Sequence, residues 1–213
     1  MLELLKRSVK PTAFQQQVAA YPEYAAPHSG SPHLLFSADQ ARENLHYLLD
    51  MKASRIAILA ALVKQEGITL PENLDTEDPK TLINQLHGWA GVRWAECHRK
   101  DNADRKHWLN VTNRTGDDKI YSVVMDTAIV LGELVIKHKP QFAWAVDIDP
   151  ENLADGMATS NRCVLAGHLE SEAAAPYLLD VEQIAAERYY DAGNIRQRHD
   201  NTWGQFIFPL MDG

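Results

Sequence analysis

Residues 120–136, IYSVVMDTAIVLGELVI, carry no charged side chain except Asp126 and Glu133. At 3.6 residues per turn this is about five helical turns, and a helix so apolar on every side must be covered by its neighbours. The run predicts a helix over 119–138, capped by Asp117 or Asp118 and ended before Pro140. The next segment, QFAWAVDI, alternates Phe142, Trp144 and Val146 with Ala143, Ala145 and Asp147. That is the period of a half-buried strand. Helix and strand together define a central unit against which the rest of the chain must pack.

The flanking segments supply the cover. Ser37 is a helix N-cap, and Leu45, Leu48, Leu49, Ile56, Leu59, Leu62 and Val63 recur at three- and four-residue spacing before Gly67 stops the helix. Asp78 and Pro79 open a second helix whose buried stripe is Leu82, Ile83, Leu86 and Trp89. Residues 98–106 are polar and read as exposed, 107–112 and NRCVLAGH (161–168) read as strands, and DPENLADGMA (149–158) reads as a loop. LDVEQIAAERYYDAG predicts a last, shorter helix, and the tail WGQFIFPL a strand or a packed terminus. Residues 1–37, broken by Pro11, Pro22, Pro27 and Pro32, read as an irregular arm with a short helix near 11–20. The expectation is α+β, with 38–213 as a single domain. Its helical N-terminal half packs on a small, mainly antiparallel sheet formed by 107–112, 141–147 and 160–167.

Charge narrows the partners. Against 21 lysines and arginines stand 29 acids, a net charge of -8. Nucleic-acid binding needs a basic face to displace counterions, so no nucleic-acid partner is expected, and a basic protein partner suits the acidic excess. Cys97 and Cys163 belong to no motif and read as reduced thiols. No apolar run reaches membrane-spanning length and MLELLKRSVK is no signal peptide, so neither membrane association nor secretion is expected and the location is read as cytoplasmic.

Linear chemistry motifs are missing. There is no G-x-S-x-G elbow, no H-E-x-x-H, no phosphate-binding glycine loop and no paired Cys or His at zinc spacing, so no catalytic residue, metal or cofactor is assigned. DIDPEN (147–152) has two aspartates but lacks the glycine and spacing of a calcium loop, and Asp-Pro opens turns readily.

Asp126 and Glu133 remain as functional polar candidates. Seven residues apart, they share a helix face but stand about 10.5 Å apart along the axis. Carboxyl pairs in glycosidases stand about 5 Å or about 6.5–9.5 Å apart, so this spacing suits joint catalysis poorly. Glu133 precedes Lys137 by four positions, the favourable order for a surface ion pair. Asp126 lacks such a neighbour. An enzyme reading would gather Asp126, Glu133 and His138 in one concave site. Candidates for partner contact are the acids Glu72, Asp75 and Glu77, the acids Asp147, Asp149, Glu151 and Asp155, and Trp94 and Trp108, which flank a polar segment where a tryptophan can anchor an interface.

The run MDTAIVLGELVIKHKPQFAWAVD, with Asp126, Leu131-Gly132-Glu133, Pro140 and Trp144, resembles a pattern in small bacterial proteins of the immunity-protein type, encoded beside secreted antibacterial toxins. The resemblance covers residues 80–166 and leaves the N-terminal arm outside. It implies a cytosolic, non-catalytic α+β protein that neutralises a toxin by occlusion, without cofactor or turnover. A structural subunit of a homo-oligomer is the third reading.

Overall fold

The computed structural model describes residues 10–29, 37–99, 114–168, 176–191 and 201–212. Among them the helices are α1 (Ala13–Ala20), α2 (Ala38–Lys64), α3 (Pro79–Cys97), α4 (Ile120–His138), α5 (Pro150–Asp155), α6 (Val181–Tyr190) and α7 (Thr202–Asp212). The strands are β1 (Ala143–Val146), β2 (Cys163–Gly167) and β3 (Tyr177–Leu179). They form one antiparallel sheet in the order β1-β2-β3, with Trp144 opposite Leu165 and Leu165 opposite Leu179. The class is α+β, a helical N-terminal half on a small antiparallel sheet.

Helix α4 is the centre. Fifteen of its nineteen residues are buried, including Ser122, Asp126 and Thr127. Helices α2, α3, α6 and α7 all pack on it. Each fully buried valine, leucine or isoleucine of this helix contributes about 1.5–3 kcal/mol.

The capping chemistry of the first long helices follows the sequence. Ser37 Oγ accepts from the Gln40 N–H at 3.3 Å while Gln40 Oε1 accepts from the Ser37 N–H at 2.9 Å, a reciprocal box. Gly67 closes the end of α2 at φ +82°, where glycine has no Cβ to clash. Asp78 Oδ1 accepts from the Thr81 N–H at 3.0 Å with Pro79 behind it. The N-terminal segment is stapled into the same core: Phe14, Val18, Tyr21 and Tyr24 are all buried.

Several expectations are corrected. Asp117 and Asp118 do not cap α4; they lie in a 3-10 turn, Gly116–Lys119, that runs directly into the helix, whose N-cap Lys119 makes no side-chain cap. Leu49 is exposed because the buried face of α2 runs through Leu48, Arg55, Leu59 and Leu62 instead. The DPENLADGMA segment contains helix α5, since Asp149 accepts from the N–H groups of Glu151 and Asn152 and Gly156 ends the turn at φ +63°. The tail is helix α7, started by Asn201, whose Oδ1 accepts from the Gly204 N–H at 2.9 Å. Its buried residues Trp203, Ile207 and Leu210 keep helical spacing. The third described strand is 177–179; the expected strand 107–112 lies outside the described residues.

Candidate functional site

The two acids of the central helix take different structural duties. Asp126 is completely buried and is gripped side-on by Arg55, Nε to Oδ1 at 2.7 Å and Nη2 to Oδ2 at 2.8 Å. Tyr21 donates its hydroxyl to the same Oδ2 at 2.5 Å. Arg55, itself 2% exposed, spends its remaining donors on the carbonyls of Pro22 and Glu23. Burial pushes the Asp126 carboxyl up to about 6, against the pull of Arg55 and the Tyr21 hydrogen bond. Burial, with the Asp126 charge beside it, likewise raises the Tyr21 phenol far above its ordinary value. The cluster is closed, and it ties the N-terminal segment to α2 and α4.

Glu133 does not pair with Lys137. It faces α2 and β1, where both its oxygens accept from Lys52 Nζ at 2.9 Å and its Oε1 also accepts from Trp144 Nε1 at 2.8 Å. Gly132 makes this approach possible, since a Cβ there would lie 2.3 Å from Trp144 Cζ2. Lys137, one turn on, reaches instead to Asp75 at 3.3 Å and donates to the Asn73 carbonyl at 3.0 Å.

These contacts frame a groove of about 650 Å³ between α2, the C-terminal part of α4 and the segment 70–74. Ala53, Ile56, Ala57 and Ala60 form one wall, and Leu70, Pro71, Leu74 and Ile136 the other. Lys52, Glu133, Lys137, Glu72 and Asn73 supply the polar lining. The groove combines small aliphatic walls with a few polar groups, and its volume falls within the usual range of ligand-sized clefts. Its lip carries backbone strain: Asn73 and Leu74 stand at φ +51° and +56°, with the Leu74 side chain only 2% exposed. For leucine this left-handed conformation costs about 1–2 kcal/mol, offset by burial of its side chain.

The structure thus brings Glu72 and Glu133 into one groove, with Asp75 joined to Lys137 at its edge and Glu77 exposed in the segment that follows. Of the three groups an enzyme reading would gather, the groove takes Glu133 alone. Asp126 is sealed in the core, and His138 Nδ1 is hydrogen-bonded to the Leu134 carbonyl at 2.8 Å. Asp149, Glu151 and Asp155 are exposed on α5 and its cap, beside the exposed apolar side chains of Leu153 and Met157.

Two contact candidates are corrected. Trp94 is completely buried, packed on Trp203 and Trp89 at ring-centre distances of 5.9 and 6.0 Å, because it follows Leu86 and Ala90 on the inner face of α3. Asp147 is buried as well; it accepts from Asn152 Nδ2 at 3.0 Å and from Thr159 Oγ1 at 2.5 Å, and so closes the 147–160 segment. Trp108 lies outside the described residues.

A second charged cluster carried no signal in the sequence. Arg162 pairs with Asp180 at 2.5 Å and with Glu182 at 3.0 Å, and Arg114 pairs with Glu182 at 2.7 Å. Burial works to raise the Glu182 carboxyl, but Arg114 and Arg162 overcome it and hold the group below its ordinary value. Asp180 also caps α6, accepting from the Gln183 N–H at 2.9 Å. Cys97 and Cys163 are free thiols pushed up to about 12 by burial, which disfavours the nucleophilic thiolate. Among the described residues no group of three or more His, Cys, Asp or Glu is placed to hold a metal, and no helix is long and apolar enough to cross a membrane. Compared with protein-family models, curated proteins and solved structures, the chain matches none.

Proposed function

We propose that the chain is a bacterial binding protein of the immunity type, acting inside the cell by covering a basic toxin encoded beside it. What supports this reading is the disposition of the acids. Those within the fold, Asp126, Glu133, Asp147, Asp180 and Glu182, are each held by cations or hydrogen-bond donors of the chain itself. The exposed ones include two runs, Glu72, Asp75, Glu77 and Asp78, and Asp149, Glu151 and Asp155, beside others such as Asp39, Glu43 and Asp50. With a net charge of -8, these acids would steer a cationic partner into encounter and set its orientation. Occlusion needs such a surface and no turnover. The test is co-expression with the product of the adjacent gene. Growth rescued by this chain, together with a purified one-to-one complex, is the expected result; toxicity undiminished by the chain would remove the proposal.

A further inference from the structure

We infer that the groove between α2 and the segment 70–74 receives an apolar side chain of the partner while a lysine or arginine next to it in the partner meets Glu72. This rests on the binding-protein reading above and names the contact it would use.

The groove offers both halves of that contact. Ala53, Ala57 and Ala60 are spaced four and three residues apart, so they lie along one face of α2 and leave room that a larger side chain would fill. Ala57 is exposed, so an incoming apolar group gains contact area there without displacing any side chain. The charges of the lining are already matched, with one exception. Glu133 is paired with Lys52 and accepts from Trp144, and Lys137 is paired with Asp75 and donates to the Asn73 carbonyl. Glu72 is exposed at the mouth and makes no ion pair among the described residues.

The lip is also preformed. Leu74 anchors it in the core and Lys137 holds its backbone, so Glu72 stands at the rim without a loop having to order on binding. Asp75, Glu77 and Asp78 follow Glu72 within the same exposed segment, which makes the approach to this end of the groove acidic. Charge complementarity therefore selects a basic segment over an acidic one, and the apolar walls select a side chain with an apolar body.

The experiment is calorimetric titration of the purified product of the adjacent gene into the full chain and three variants. Ala57→Trp fills the groove, Glu72→Arg reverses the lip, and Asp155→Arg alters the other acidic surface. All three sites are exposed, and equal melting temperatures verify that each variant is folded. The expected result is at least about tenfold weaker binding for Ala57→Trp and for Glu72→Arg, with a smaller loss for Asp155→Arg, which lies outside the groove. Unchanged affinity in both groove variants overturns the inference and leaves the binding-protein reading standing, with Asp155→Arg then reporting on the α5 surface. Loss with Ala57→Trp but not with Glu72→Arg removes the cationic contact and overturns the inference as stated. Self-association of the chain that Ala57→Trp abolishes assigns the groove to a second copy and also overturns it. No binding by the unaltered chain sinks the reading and the inference together.

Discussion

Arg55 and Asp126 meet side-on in the core although 71 positions separate them, with two hydrogen bonds of 2.7 and 2.8 Å. Neither side chain has more than a trace of solvent contact, so each depends on the other for its charge to be tolerated. Asp126→Asn is expected to leave the Arg55 guanidinium buried without its counter-charge and to cost about 3–5 kcal/mol in urea denaturation. Arg55→Met should cost a similar amount. The double variant Arg55→Met/Asp126→Leu should lose less than the sum of the two, because both charges leave together. It should not reach the parent stability, since the Pro22 and Glu23 carbonyls also lose their donor. Additive losses would show that the pair is not coupled as its geometry requires.

Gly132 and Gly88 are both helical, yet they should respond in opposite directions to alanine. A Cβ at Gly132 falls 2.3 Å from Trp144 Cζ2, and the indole cannot retreat without breaking its bond to Glu133. Gly132→Ala is therefore expected to destabilise by about 1–3 kcal/mol through overpacking. Around Gly88 nothing lies within 4 Å of the added carbon. Gly88→Ala should stabilise by about 0.5–1 kcal/mol through helix propensity. Parallel denaturation curves decide both.

His87 gives the fold a pH dependence. Burial, reinforced by the nearby Arg188 charge, lowers its pKa to about 4, and among the described residues its Nε2 has no hydrogen-bond partner. The unfolded chain takes up a proton as the pH falls through about 6.5, while the folded chain resists until about 4. Stability contributed by this residue is thus present at neutral pH and lost on acidification between those values. The loss should amount to about 2 kcal/mol by pH 5. His87→Phe keeps a ring against Trp203, now 5.1 Å away, and cannot charge. Relative to the variant, the parent should lose that amount of stability between pH 7 and pH 5. Comparing the two isolates His87 from Asp126, whose raised pKa adds stability as the pH falls through about 6. An identical pH profile for parent and variant would contradict the assignment.

The long helices were legible because their signals are local. Ser37 with Gln40, Asp78 with Pro79, and Gly67 each act within one turn of the residue they serve. The helix α7 had a readable signal too, in the spacing of Trp203, Ile207 and Leu210, but Gly204 and Pro209 within the same run argued against helix. Strand β3 is three residues long, too short to show a period. The site was less legible for a different reason: its pairings are long-range. Glu133 had a nearby lysine in the sequence, yet chose Lys52, 81 positions away, because Trp144 packed on Gly132 turns that face toward α2. Arg55 did carry a signal of its own. It occupies a core position of α2, seven residues after Leu48 and four before Leu59, and an arginine on such a face calls for a buried acid. Asp126 was that acid.

The exposed acids should govern how fast the proposed partner associates. Glu72, Glu77, Glu151 and Asp155 are exposed, and neutralising them leaves the buried clusters untouched. For the product of the adjacent gene, stopped-flow association with the parent chain is expected to slow by about tenfold or more from about 20 mM to about 500 mM salt. The quadruple variant Glu72→Gln/Glu77→Gln/Glu151→Gln/Asp155→Asn should start slower at low salt and lose most of that dependence. Its dissociation rate should change mainly through Glu72, the acid placed at the groove mouth. A salt-independent rate in the parent chain would mean that the acidic surface does not face the partner.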